Sequence, residues 1–167
     1  MNIASKIKTR NDLIELRESL VKNKKIVVFT NGCFDIIHRG HVEYLEEASK
    51  HGDVLIVGIN SDQSTNRLKG KGRPIIPEED RAYILASLSS IDYVCIFDED
   101  TPFELIKIVK PDVLVKGADY NLNEIVGRDF VEQYGGKVLT IPLVPERSTT
   151  EIIHKMMNLL ENEKYGS

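Results

Sequence analysis

Five short apolar runs, Ile26–Phe29, Val54–Ile59, Tyr93–Phe97, Val113–Val115 and Val138–Ile141, are separated by segments with helical periodicity or helix-stop residues. That alternation leaves few folds open. Runs this short and this continuously apolar fit strands covered on both faces rather than strands with one wet side. Strands that return through helices run parallel, with right-handed crossovers that set helices on both faces of the sheet. The sequence therefore predicts an α/β chain with a five-stranded parallel sheet, a core over about 25–161, a helical N-terminal extension over about 1–24, and a single domain over 1–167.

The intervening segments fill in this Rossmann-like arrangement. Leu13, Leu16, Leu20 and Val21 recur at helical spacing, with Thr9 or Asn11 as the N-cap of a helix over about 11–23. A second helix over about 40–51 carries Val42, Leu45 and Ala48 on one face and stops at Gly52. Residues 60–72 are polar and glycine-rich and read as a loop. Pro77-Glu78-Glu79-Asp80 opens a helix to about Leu88, and Thr101-Pro102-Phe103-Glu104 reads as a capping box on a helix that ends before Pro111. A further helix falls within 125–134, and the last starts near Ser148 and is expected to bury Ile152, Ile153, Met156, Leu159 and Leu160.

Composition narrows the function classes. A formal net charge of -4 is the wrong sign for general nucleic-acid binding. Cys33 and Cys95 form no CxxC pair, which fits a reducing compartment. Met1–Arg10 has no apolar core of signal-peptide length, and no run is long enough to span a membrane, so a cytoplasmic location is expected.

In a parallel sheet, ligands bind beyond the carboxyl ends of the strands, where strand order reverses. The loops after the first, fourth and fifth predicted strands converge there, with the loop after the second close by. The first of these is the most informative: Thr30-Asn31-Gly32-Cys33-Phe34-Asp35-Ile36-Ile37-His38-Arg39-Gly40-His41. Gly32 lets the backbone turn or approach a ligand. Gly40 leaves the mouth of the next helix open to a phosphate, and His38 and His41 flank it, each able to donate an N–H. Two histidines at a helix start could also be surface cap residues. A zinc pair on a helix is usually four residues apart, as in HExxH, and no GxGxxG fingerprint is present.

The other loops supply cations and hydroxyls. Arg67, Lys69, Lys71 and Arg73, interleaved with Gly70 and Gly72, read as an arm that closes over phosphates or as a solvated loop. Arg81 is either an acceptor contact or a surface salt bridge. Gly117 and Asp119 follow the fourth strand, where Asp119 could accept from a sugar hydroxyl or simply hold a turn. Ser148 and Thr149 are an N-cap whose free amides could also bind phosphate, with Arg147 beside them as an anion contact. Cys33 reads as a small loop filler. Asp35 could orient a histidine, touch an acceptor or bind Mg²⁺, and the sequence names no metal ligands.

The segment GxFDxxHxGH, set between strand and helix, resembles the HxGH motif of the nucleotidyltransferase superfamily. There the two histidines stabilise negative charge on the transferred α-phosphate and the leaving pyrophosphate. From about Ile26 to Leu160 the chain resembles one branch, the adenylyltransferases that make ADP-heptose from ATP and a heptose 1-phosphate. The marks are Thr30–Asp35 before HxGH, Val57–Asp62, Lys69–Pro74, Lys116–Tyr120, Gly135–Val138 and Ser148–Thr150.

The resemblance implies that ATP with Mg²⁺ is held by His38, His41, Lys69 and Lys71. Asn31, Gly32, Cys33, Phe34, Gly40, Gly117, Asp119, Ser148 and Thr149 would complete the nucleotide site, and Asp35, Arg81 and Arg147 would take the sugar phosphate. It further implies a homo-oligomer, a dimer or larger, and a sugar kinase on a separate chain. Related cytidylyltransferases carry RTEGISTT where this chain has Pro145-Glu146-Arg147-Ser148-Thr149-Thr150, so Arg147 departs from the pattern.

Overall fold

Residues 2–119, 121–142 and 148–165 are described by a computed structural model. The elements follow in the order α1 (Ile3–Lys6), α2 (Arg10–Lys22), β1 (Val27–Gly32), α3 (Arg39–Ser49), β2 (Val54–Asn60), α4 (Asp62–Lys69), α5 (Glu78–Ser87), β3 (Tyr93–Phe97), α6 (Phe103–Val109), β4 (Val113–Gly117), α7 (Arg128–Gln133), β5 (Lys137–Ile141) and α8 (Thr149–Tyr165), with one 3₁₀ turn at Leu122–Glu124. The sheet has five strands in the order β3-β2-β1-β4-β5, and every pairing is parallel. Strand order reverses between β1 and β4.

Alternating side chains send each strand's residues to opposite faces. On one face Val28, Leu55, Val57, Val94 and Val115 pack under α3 (Leu45, Ala48) and α5 (Ala82, Leu85). On the other, Val27, Phe29, Ile56 and Leu114 pack under α2 (Leu13), α6 (Leu105, Ile106) and α7 (Val131). Helices thus cover both faces, as the alternation of runs requires.

Four details differ from the sequence reading. First, β1 continues past Phe29 to Gly32, because Asn31 and Gly32 still pair with Gly58 and Ile59 of β2. Second, residues 62–69 are a helix, not a loop: Ser61 caps it by accepting from Ser64 N, and Gly70 ends it at φ 91°. Its polar composition hides it, since only Ser64 and Thr65 are buried. Third, α6 starts at Phe103 with Pro102 in the capping position, so the Thr101–Glu104 capping box does not form.

Fourth, α8 does not bury its apolar stripe. Ile152 and Ile153 are half-buried, while Met156, Leu159 and Leu160 are exposed. The helical period groups them on one side, but no described surface of the same chain covers that side. Where the helix does meet the body is its first turn, through Thr149.

Candidate active site

The site begins where β1 ends. Gly32 sits tight against the Phe34 ring, since a Cβ there would lie 3.1 Å from it and the ring would have to shift. Phe34 itself sits at φ 47°, a left-handed conformation unusual for a bulky residue. That backbone turns its ring inward, where it meets the His41 ring edge-on at 5.3 Å. The chain then enters α3 with His38 in the capping position and no side-chain cap. No side chain caps the amides of Arg39 and Gly40, while His41 N donates back to His38 O at 2.9 Å, so the mouth of α3 presents the positive end of the helix dipole.

His38 and His41 stack with ring centroids 3.9 Å apart. Burial, and then the neighbouring His38, push the His41 pKa down to about 4. His41 Nδ1 is buried and has no hydrogen-bond partner among the described atoms. An unsatisfied polar atom of this kind is a mark of a ligand site.

Around this loop lies a cleft of about 570 Å³. The structure brings Asn31, Gly32, Cys33, Phe34, Asp35, His38, Gly40, His41, Lys69, Gly117, Asp119, Ser148 and Thr149 to its walls. These residues come from the ends of β1 and β4, the starts of α3 and α8, and the end of α4. Lys71 stands outside the wall, exposed on the arm between Gly70 at φ 91° and Gly72 at φ 85°. Open space surrounds both glycines. The arm's ends are fixed by Asn66 Nδ2, which donates to Gly70 O at 3.3 Å and Arg73 O at 3.1 Å.

Asp35 holds the far end of that arm. Its carboxylate accepts from Arg73 Nε at 2.6 Å, Ile75 N at 2.8 Å and Ile76 N at 2.9 Å. Burial alone would raise the Asp35 carboxyl. The amides of Ile76 and Ile75 and the Arg73 guanidinium outweigh it and hold the group below its ordinary range. None of these partners is a histidine, and the carboxylate is engaged in joining the HxGH loop to the basic arm.

Arg81 is fully buried and lies beneath the cleft instead of on its wall. Its guanidinium donates to Cys33 O at 2.6 Å, Asn60 O and Ile76 O at 2.9 Å each, and Asp62 Oδ1 at 2.7 Å. One side chain therefore ties the β1 loop, the end of β2, the start of α4 and the loop before α5. Ser148 forms a capping box with Glu151: its amide donates to Glu151 Oε2 at 2.9 Å and its hydroxyl accepts from Glu151 N at 3.1 Å. Thr149 Oγ1 donates to Ile36 O at 3.3 Å, which sets the start of α8 against the HxGH loop. Arg147 lies outside the described residues.

Sequence reasoning gave no role to Tyr44 or Lys116, which also line the wall, while Arg73, read as part of the arm, lies on the wall as well. Tyr44 shares a buried hydrogen bond of 2.7 Å with Thr30 beneath the loop. Lys116 is 7 % exposed and bonds to Asn31. The signal for it was present, because a lysine interrupts the otherwise apolar run Val113-Leu114-Val115.

Comparison with known proteins identifies the family. Residues 29–162 match the cytidylyltransferase-like family. The bifunctional protein HldE of Syntrophotalea carbinolica is 55% identical over 157 residues, 94% of this chain and 32% of that protein. HldE of Nitratiruptor is 56% identical over 150 residues, 90% of this chain and 32% of that protein. The chain thus spans about a third of the length of the curated relatives it matches. Among solved structures, a lipopolysaccharide core biosynthesis protein from Thermoplasma volcanium is 32% identical with a TM-score of 0.60, covering 72% of this chain and 97% of that one. Pantoate-beta-alanine ligase from Francisella tularensis, 19% identical with a TM-score of 0.57 over 86% of this chain and 68% of that one, shares the fold. No described helix is long and apolar enough to cross a membrane.

Proposed function

The chain belongs to the cytidylyltransferase-like family of nucleotidyltransferases, and on that premise we propose that it transfers the adenylyl group of ATP to a heptose 1-phosphate, giving ADP-heptose and pyrophosphate. The observation that carries this reading is the convergence of the stacked pair His38 and His41 with the uncapped start of α3 on one cleft, at the reversal of strand order. The heptose branch is supported by the segments Thr30–Asp35, Lys69–Pro74 and Lys116–Tyr120. The likeness to a lipopolysaccharide core biosynthesis protein supports a role for the product in lipopolysaccharide core or another surface glycan.

The chemistry needs little from the protein beyond placement and charge. An oxygen of the acceptor phosphate attacks the α-phosphorus. The bond from that phosphorus to the α–β bridging oxygen breaks, and pyrophosphate leaves with the oxygen and its electron pair. The attacking oxygen is ionised at neutral pH, so no general base is required. His38, His41 and the α3 amides hold the α-phosphate and the leaving oxygens. Gly32 and Gly40 leave room for them, and Ser148 and Thr149 meet the outer phosphates.

Asn31, Cys33, Phe34, Gly117 and Asp119 bound the nucleoside. Lys69 acts from the wall, and Lys71 reaches the phosphates when the arm closes. Asp35 and Arg81 are positioning residues that set the loop and the arm against each other. No cluster of three or more His, Cys, Asp or Glu side chains that could cage a metal exists among the described residues, so a magnesium ion would come with the triphosphate rather than rest in a protein cage. When bound, it would supply positive charge that offsets the negative charge on the phosphates.

The reading carries with it a cytoplasmic enzyme and a sugar kinase that supplies the acceptor. It also carries assembly into a dimer or larger form, supported by the exposed Met156, Met157, Leu159 and Leu160 on α8. The test is pyrophosphate release with ATP, CTP, GTP or UTP against heptose 1-phosphate, glycerol 3-phosphate, flavin mononucleotide and phosphopantetheine. Release with ATP and heptose 1-phosphate alone is expected. Release only with CTP and glycerol 3-phosphate would move the chain to another branch.

A further inference from the structure

We propose that Lys116 is a phosphate-binding residue, which holds the nucleotide's phosphate chain from the floor of the cleft; the inference rests on the reading of the site as one that binds a nucleoside triphosphate. The argument starts from the sheet. β1 and β4 pair only at Val28↔Val113 and Phe29↔Leu114. Beyond that point β1 stays paired with β2 as far as Gly32↔Ile59, and β4 stays paired with β5 as far as Gly117↔Ile141. The two central strands therefore separate over their last residues, and a gap opens at the place where strand order reverses. Continuing the register sets Asn31 opposite Lys116, one on each side of that gap.

Lys116 closes the gap from below. Its ammonium donates to Asn31 Oδ1 and lies 3.4 Å from Asn31 O. Only 7 % of the residue is exposed, and it lines the cleft. Its neighbours along the strand, Val113, Leu114 and Val115, are buried and apolar. An ammonium in that setting carries a desolvation cost that an apolar side chain of similar size would not.

Burial lowers its pKa to about 8, and only in part does the nearby Asp119 oppose that. Residues that break the local apolar pattern at such a cost tend to be functional. The partner, Asn31, lies just before the loop that delivers His38 and His41. The group that Lys116 addresses is therefore the anion bound at the mouth of α3, not the base.

The experiment measures binding of ATP, inorganic pyrophosphate and adenosine to Lys116→Met, Lys116→Gln and the wild type by calorimetry. Loss of one hydrogen bond to a charged group should weaken ATP and pyrophosphate by roughly 10- to 100-fold in both variants. Adenosine affinity should not change. Lys116→Met should melt no lower than the wild type, because it removes a buried charge. The glutamine keeps a donor for Asn31 without the charge, so it separates anion binding from support of the loop.

Unchanged ATP affinity in both variants would overturn the proposal, and so would equal weakening of ATP and adenosine. Failure of the heptose reading would show differently: the wild type would bind its triphosphate but release no pyrophosphate with heptose 1-phosphate. The Lys116 result would then still stand, since it is read from binding alone.

Discussion

The imidazoles of His38 and His41 lie stacked, with centroids 3.9 Å apart and planes inclined by 24°. Two rings three residues apart meet face to face because His38 caps α3 in an extended conformation while His41 sits in the first turn. Phe34 fixes the second ring from its edge. A pair held this way places two donors at one helix mouth.

Replacing His41 by alanine should lower turnover by roughly 10² to 10³, the size seen when one preorganised transition-state donor is removed. The assay is the initial rate of pyrophosphate release at saturating substrates. Near-normal turnover would take His41 out of the mechanism.

The same residue predicts a pH dependence of stability. The His41 pKa falls from 6.5 to about 4 on folding. Between those values the unfolded chain binds a proton that the folded chain does not, so stability is lost as pH falls from 6.5 towards 4. The shift corresponds to about 3 kcal/mol at the acid end. Thermal melts of the wild type and His41→Asn at several pH values should therefore converge as pH is lowered through this window. Parallel curves would show that His41 is not the group responsible.

Asp35→Ala should destabilise the fold. It leaves Arg73 and the amides of Ile75 and Ile76 without their acceptor. Breaking a buried pair by removing one partner costs about 3 kcal/mol or more, which for a domain of this size lowers Tm by roughly 6–12 °C. An unchanged Tm with lost activity would instead give Asp35 a direct role on the acceptor or metal.

Lys71→Ala should do the reverse. The side chain is exposed on an arm surrounded by open space. Turnover should fall at least tenfold, the scale of one lost charge-assisted contact, while the melting curve stays in place. A clear drop in Tm would make the arm a structural element.

How far the sequence carried depended on what each residue's role draws on. The five strands were legible because consecutive apolar residues such as Leu55, Ile56 and Val57 serve both faces of a covered sheet. The HxGH loop was legible because its glycines and histidines stand at a strand-to-helix junction. α4 was not, since its polar residues carry no apolar period and its cap, Ser61, looks like any loop serine. Arg81 was read as a surface or acceptor cation, yet it is buried, because the carbonyls of Cys33, Asn60 and Ile76 meet only after folding. The stripe on α8 was legible as a pattern, but periodicity says which residues share a face and not whether the chain covers it. Lys116 leaves a local mark, a lysine ending an apolar run, but its place opposite Asn31 depends on the register and separation of β1 and β4, which no local pattern encodes.

The central claim is that the transferred group is the α-phosphate with its nucleoside. ATP labelled separately at the α- and γ-phosphorus, mixed with heptose 1-phosphate and the enzyme, tests it most directly. The α-label should appear in the nucleotide sugar and the γ-label in pyrophosphate, in equal amounts. Movement of the γ-label to the sugar, or no movement of the α-label, would contradict nucleotidyl transfer at this site.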